Sequence, residues 1–445
     1  MQQIFFDVSY IPLEWNNAQL DPWRREFPPK ALKTSPIILG MVSKAWRKIV
    51  YTTPHLFTRV FLSSKMPDPV RTANIYLENS GTLFFEVAIH FTPLSRRSEP
   101  NDEILDQIYI ALAAKMHRIR VLYLHTSVRS VNRFLTTQAN NLQQLYLDSI
   151  SREDGFDVVL EAPNLRVLRI RQEFIQPCRN LILSHHHLTH LYLPAYPLEP
   201  SHFMDILLQI GTGLEVLDVH YGREDDFDDI STVEVDPGTE PILLHKLKLL
   251  KLTLLWSPEI FEYQVVFQRF KVPNLEALDL TIHSADPDDL TPLFSVQGLL
   301  DASSLRLKNL VFCMDGISRG HFADFLYNLP HLAELSLRQP YNAAIDALCR
   351  HIYPNVCPRL VTLKLLDPKA SCDIVTEMLR SRISPDPINQ YDILETVYID
   401  HPERPRWRNS SRGCRAEPEI DSDLFPTLKI FYDILPCDED EFQCL

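Results

Sequence analysis

Apolar residues return along this chain in one pattern, Leu-x-x-Leu-x-Leu, separated by longer amphipathic or polar stretches. Asn141-Leu142-Gln143-Gln144-Leu145-Tyr146-Leu147 is a typical copy. Its last four residues alternate, which places Leu145 and Leu147 on one side of a strand and Gln144 and Tyr146 on the other. The first apolar position of successive copies falls at Ile119, Leu142, Leu165, Leu188, Leu214, Leu247, Leu275, Leu307, Leu332, Leu360, Leu394 and Leu428. The first three steps are 23 residues each and the later ones run from 25 to 34. Several copies follow a proline, as in Pro163-Asn164-Leu165 and Pro273-Asn274-Leu275. Proline there ends a preceding helical segment and sets an extended entry to the strand. Amphipathic stretches at 104–116, 131–139, 203–210, 260–270, 322–329 and 374–383 predict the returning helices, with Ser201 and Ser318 as N-caps.

A dozen ordered copies, covering 119–433, resemble the leucine-rich repeat family. The resemblance implies an α/β solenoid, with parallel strands on the concave side and returning arms behind them. Each unit buries its apolar face only against its neighbours. The copies depart from the family at the ninth position, where an asparagine ladder is usual. Here that position holds residues such as Glu173, Tyr196, Pro340, Pro368 and Pro402, so an irregular horseshoe with variable arms is expected. The competing reading is an ordinary α/β domain with leucine-rich strands.

Before the repeats, Ser35-Pro36 opens a helical segment in which Leu39, Val42, Trp46 and Ile49 recur at helical spacing. Pro54 closes it, and 55–60 begins a strand. The run Ser35-Pro36-Ile37-Ile38-Leu39-Gly40-Met41-Val42-Ser43-Lys44-Ala45-Trp46-Arg47, with Thr53-Pro54-His55-Leu56-Phe57, resembles the second half of an F-box of the type expanded in fungi. Ser43 stands where that family has Cys, and Phe57 where it has Trp. Ile75-Tyr76-Leu77-Glu78-Asn79-Ser80-Gly81 matches a later landmark of the same family, and an alternating strand follows over 83–89. The first half of an F-box is reduced to Ile11-Pro12-Leu13-Glu14. This divides the chain into a degenerate F-box-like segment with linker strands at 1–92 and an irregular solenoid at 93–445.

Net charge is −14, with 44 Lys and Arg against 58 Asp and Glu, which disfavours generic binding to nucleic acid or an anionic membrane. The charge is uneven: residues 1–100 carry 12 basic and 8 acidic side chains, and the remainder 32 and 50. Only 11 glycines in 445 residues argue against a phosphate-cradling fold. Eight cysteines without a Cys-x-x-Cys pair are not a disulfide framework. No basic, apolar leader opens the chain and no apolar run approaches the roughly 18 residues of a membrane span, so an intracellular protein of the cytoplasm or nucleus is expected.

Candidate chemistry is sparse. His185, His186, His187 and His190 lack further ligands at zinc spacing. The Asp225–Asp229 run lacks the glycine and closing glutamate of a calcium loop. Cys349 and His351 lie close together without a thiol-nucleophile motif. No catalytic residue, cofactor or metal is expected.

The resemblance implies a substrate-recognition subunit of a cullin–RING ubiquitin ligase. A Skp-type adaptor would contact Pro36, Ile37, Leu39, Val42 and Trp46, supported by Pro54 and Leu56. The alternative is an interaction scaffold without ligase association. Target binding is expected on the strand faces turned away from the core, around Tyr123, Tyr146, Arg169, Arg171 and Tyr192. Tyrosine and arginine concentrate binding energy, and an acidic or phosphorylated target segment suits the local charge. The competing reading is that these tyrosines pack against each other across the strands.

Overall fold

The computed structural model of the chain describes residues 35–64, 66–91, 102–126, 139–149, 157–160, 162–172, 180–183, 187–193, 200–221, 241–256, 269–284, 291–300, 306–314, 316–383, 393–400 and 428–433. They belong to two compact units, Met1–Leu188 with Asp438–Leu445, and Thr189–Cys437.

In the first unit five parallel strands pair side by side: β1 (Arg59–Ser63), β2 (Phe85–His90), β3 (Ile119–Thr126), β4 (Gln144–Ser149) and, past β5 (Asp157–Leu160), β6 (Val167–Gln172). β5 forms a separate parallel pair with β7 (Asn180–Leu183). The helices Pro69–Asn79 and Asp102–Ala113 return the chain between the first three strands. Parallel neighbours require such crossovers, because the chain must come back to the same end before each new strand.

The second unit repeats the plan with nine parallel strands. In spatial order they are β8 (His190–Leu193), β9 (Val216–Tyr221), β11 (Leu249–Trp256), β13 (Ala277–Ser284), β14 (Asn309–Met314), β15 (Glu334–Arg338), β16 (Thr362–Leu366), β17 (Thr396–Asp400) and β18 (Lys429–Asp433). A short parallel pair, β10 (Ile242–Leu243) with β12 (Phe270–Lys271), lies apart from that ladder. Helices Pro200–Ile210, Thr291–Leu300, Arg319–Tyr327 and Cys372–Ile383 serve as returning arms.

The repeat pattern and the register agree residue by residue. Leu145 pairs with Leu168 in the first unit, and Leu217, Leu250, Leu278, Leu310, Leu335 and Leu363 align across the second. All of these leucines are buried, as is the first apolar position of every copy from Ile119 to Leu428. The mechanism is the period-2 alternation: once one leucine faces the arms, its neighbours two residues away do as well.

Two features replace the absent asparagine ladder. At strand exits, Gln339 and Asp367 take left-handed backbone conformations (φ 50° and 48°) immediately before Pro340 and Pro368. The turn there is held by Gln339 Nε2 donating to Asp367 Oδ2 at 3.1 Å and by the Gln339 amide donating to the Leu366 carbonyl at 2.7 Å. At several strand entries, the residue just before the first apolar position reaches back to the preceding copy. Asn141 donates to the His117 carbonyl, Asn164 to Asn140 and Asn274 to His245, each at 2.6 Å. Arg118, at the same position, donates to the Leu83 carbonyl and to Ser80 Oγ. These bonds satisfy carbonyls that a turn would otherwise leave to solvent.

Several local expectations are corrected. The 36–49 segment is two helices, Pro36–Val42 and Lys44–Tyr51, because Ser43 is extended (φ −160°, ψ 167°). Residues Pro54–Phe57 form a 3-10 turn, so the strand starts only at Arg59. The 104–116 helix ends at Ala113, and Met116 begins a 3-10 turn. Ser201 is not an N-cap: its helix already begins at Pro200. Ser318 does cap, its Oγ accepting from the His321 amide. Phe270 belongs to a strand and not to the end of a helix, and the rest of 260–268 lies outside the described residues, as does 131–138.

Candidate functional site

The two helices before the repeats expose five large apolar side chains, Ile38, Met41, Val42, Trp46 and Tyr51. Pro36 occupies the first helical turn, where its missing N–H costs nothing. Ser43 then ends the first helix and starts the second, its Oγ accepting from the Trp46 amide at 3.1 Å. The pair closes tightly at Gly40, where a Cβ would sit 3.4 Å from the Tyr51 ring. Arg47 Nε donates to the Gly40 carbonyl at 3.0 Å. Ser35 sits at the N-cap position, but its Oγ bonds the Tyr76 hydroxyl at 3.1 Å and caps nothing. Burial pushes the Tyr76 hydroxyl above its ordinary pKa, and that hydrogen bond pulls it the other way. Phe57 fills the joint beneath, its ring 5.6 Å from Tyr51 and 5.5 Å from Tyr76.

This arrangement divides the residues expected to meet an adaptor. Val42 and Trp46 are open, at 62% and 36% exposure. Ile37, Leu39 and Pro54 are half-buried, and Pro36 and Leu56 are buried. Met41 at 70%, with Ile38 and Tyr51, completes the exposed apolar face. The break at Ser43 explains why these three escape a reading based on one continuous helical stripe. Lys44, Arg47 and Lys48 are also exposed, so the face is apolar with basic residues among it.

The residues expected to bind a target lie on strands of both units. In the first unit Tyr123, Tyr146 and Arg169 are register partners on adjacent strands. Their rings are not open: Tyr123 is 6% and Tyr146 8% exposed. The Tyr123 hydroxyl donates to Asp148 Oδ2 at 3.1 Å, and His125 Nδ1 lies 3.1 Å from the same oxygen. His90 stacks on His125 with ring centroids 4.3 Å apart. Tyr146 donates to Gln144 Oε1 at 3.1 Å. Arg169 is half-buried, and the Arg171 side chain lies outside the described residues. In the second unit Tyr192 is half-buried beside its register partner Asp218. Further along that face, Asp218 pairs with Lys251 at 3.6 Å and Asp279 with Arg338 at 3.1 Å. Lys364 pairs with Glu334, and Tyr398 stacks on Phe431 at 4.9 Å.

His190 is the one member of the histidine run with a described strand position. Its Nδ1 lies 2.8 Å from Thr189 Oγ1, and burial lowers its pKa against an opposing contribution from Glu215. A folded pKa below the unfolded value means that the unfolded chain takes up the proton first as pH falls. Stability contributed by neutral His190 is therefore present above its ordinary pKa of 6.5 and is lost as pH falls through the region below it. The second unit should accordingly melt at lower temperature at pH 5.5 than at pH 7, and His190→Gln should shrink that difference. A pH dependence unchanged in the variant would assign it to other groups.

Among the described residues no group of three or more His, Cys, Asp or Glu side chains is placed to hold a metal ion, and no helix is long and apolar enough to cross a membrane. Cys349 and Cys357 are buried, and burial pushes their thiols up to about 11 and about 12, so both stay protonated at neutral pH. His351 turns instead to Glu377, at 3.3 Å.

No protein-family model matches the chain, and no curated protein matches it. A crystal structure of a Bacteroides fragilis protein aligns at 13% identity and a TM-score of 0.27, covering 66% of this chain and 63% of that one. This chain thus spans under two thirds of that protein's length. A crystal structure of the Rad7 and Elc1 complex in yeast aligns at 12% identity and a TM-score of 0.37, covering 73% of this chain and 75% of that one.

Proposed function

We propose that the chain is a non-catalytic recruiting protein. Its two N-terminal helices dock on a Skp-type adaptor of a cullin–RING ubiquitin ligase, and the outward faces of its parallel strands hold a target protein. The observation that carries this reading is the exposed apolar face of Ile38, Met41, Val42, Trp46 and Tyr51. Residues of this kind cluster at interfaces and not on isolated surfaces, because large apolar patches in water are costly. The same stretch carries the F-box resemblance. A net charge of −14 suits a protein target better than nucleic acid or membrane. Such a role places the protein in the cytoplasm or nucleus. On the target side, Tyr123 and Tyr146 shape the strand face, while the half-buried Arg169 and Tyr192 are the better direct contacts within their respective units.

Co-purification of the full chain with a Skp-type adaptor tests the reading. Met41→Asp with Val42→Asp should abolish recovery of the adaptor and leave the thermal melt nearly unchanged, since these side chains are 70% and 62% exposed. Pro36→Ala is a poor test, because Pro36 is buried and its loss would disturb the helix itself. An unaltered chain that fails to retain the adaptor favours the scaffold without ligase association.

A further inference from the structure

The strand-entry edge of the second unit carries a row of cations that the repeat pattern alone does not reveal. Register fixes it. Leu250, Leu278, Leu310, Leu335 and Leu363 are aligned across five adjacent strands. The residues four positions before them are Lys246, Asn274, Arg306, His331 and Arg359, so these form one column across β11, β13, β14, β15 and β16. A second column two residues further on holds Lys248, Glu276 and Lys308, linked by backbone bonds from the Glu276 amide to Lys248 and from the Lys308 amide to Glu276, each 2.9 Å. Lys246, Lys248, Arg306, Lys308 and Arg359 are all exposed.

The edge is also pre-arranged. Arg306 Nη1 donates to Asn274 Oδ1 at 2.6 Å, and Asn274 Nδ2 donates to the His245 carbonyl at 2.6 Å. The guanidinium is thereby held along the column, with donors left over for a carboxylate. Within these five strands the acid of the neighbouring column is Glu276, exposed and 3.9 Å from Lys308; the flanking strands add Glu215 next to Lys248 and Glu395 next to Val361, so the five exposed cations still outnumber the acids. In a chain of net charge −14 such a row opposes the average sign of the molecule.

We infer that this edge binds an acidic, extended segment of a partner protein, rich in aspartate and glutamate. Adjacent strands are about 4.8 Å apart, so Lys246 and Arg359, four steps distant, are separated by roughly 19 Å. An extended chain advances about 3.3 Å per residue, so about six residues span the row. The three cations are two strand steps, or about 9.6 Å, apart, so carboxylates about three residues apart in such a segment meet Arg359, Arg306 and Lys246 in turn. The row belongs to the second unit and the helical face to the first, and the inference does not depend on whether that face binds an adaptor.

Fluorescence anisotropy of fluorescein-labelled hexaglutamate with the full-length chain tests it. Saturable binding is expected at low salt, weakening as salt rises because exposed charges are screened. The triple variant Lys246→Glu/Arg306→Glu/Arg359→Glu should weaken it by at least about tenfold, while Arg380→Glu, an exposed reversal elsewhere in the unit, should leave it unchanged. Because Arg306→Glu breaks the bond to Asn274, the double variant Lys246→Glu/Arg359→Glu is read as well, and should show the same direction of loss with an unchanged melt. Absence of hexaglutamate binding, or equal binding by both variants, overturns the inference. So does a clear preference of the same edge for a single-stranded oligonucleotide or a phosphoserine peptide over hexaglutamate.

Discussion

Arg382→Met is expected to destabilise the second unit by about 3–5 kcal/mol, near the cost of removing one member of a buried charged network. Arg382 lies at the end of the Cys372–Ile383 helix and is fully buried. Its three guanidinium nitrogens donate to backbone carbonyls: Nε to Leu348 at 2.7 Å, Nη1 to Cys357 at 3.0 Å and Nη2 to Val356 at 2.9 Å. No carboxylate is among these partners. Burial lowers its pKa to about 10, still far enough above neutrality that the group stays charged. The stretch it closes, 347–360, has no helix or strand of its own, and Cys357 within it is left-handed (φ 43°). Methionine fills part of the volume and removes the guanidinium donor from the Leu348 and Val356 carbonyls, each costing about 1–3 kcal/mol less any relaxation, while the Cys357 carbonyl keeps the Leu360 amide at 3.2 Å. Arg382→Lys should also fail, because one ammonium cannot reproduce a planar fork. Urea unfolding followed by circular dichroism reads the effect. A midpoint unchanged in both variants would show that water replaces the fork without loss.

Phe57→Ala is expected to cost about 3–5 kcal/mol in the first unit. The side chain is fully buried where the 3-10 turn meets both the Lys44–Tyr51 and Pro69–Asn79 helices, between the rings of Tyr51 and Tyr76. Truncation there empties the joint that orients the helical pair. Phe57→Trp restores the residue type of the resembling family, yet should cost about 1–3 kcal/mol, since a larger ring must displace close-packed neighbours. Melting of the two variants and the parent separates these outcomes. A Trp variant more stable than the parent would mean that the joint is underpacked.

These two positions differ in how far the sequence announces them. Phe57 was visible through its Thr-Pro-x-Leu setting. Arg382 was not, although Val375, Met378 and Leu379 set a helical stripe on which it is the next member; a charged residue at the end of a helix reads as solvated. The parallel ladder from β3 onward was legible, because each Leu-x-x-Leu-x-Leu copy records both a strand and its inward face. β1 and β2 were read as strands but not as members of the ladder, since Arg59–Ser63 and Phe85–His90 lack the leading leucine that marks the period. The helical pair was read as one helix because residues 39, 42, 46 and 49 keep helical spacing straight through Ser43. The burial of Tyr123 and Tyr146 and the cationic column both depend on register between strands 25 or more residues apart in places, which spacing along one chain does not encode.

The helical face is the part of this account on which its functional reading stands. Hydrogen exchange of the full chain with and without a purified Skp-type adaptor measures it directly. Protection confined to the amides of 36–57, with exchange across β1 to β18 unchanged, is the predicted result. An adaptor that leaves 36–57 unprotected, or that protects only the repeat strands, contradicts it.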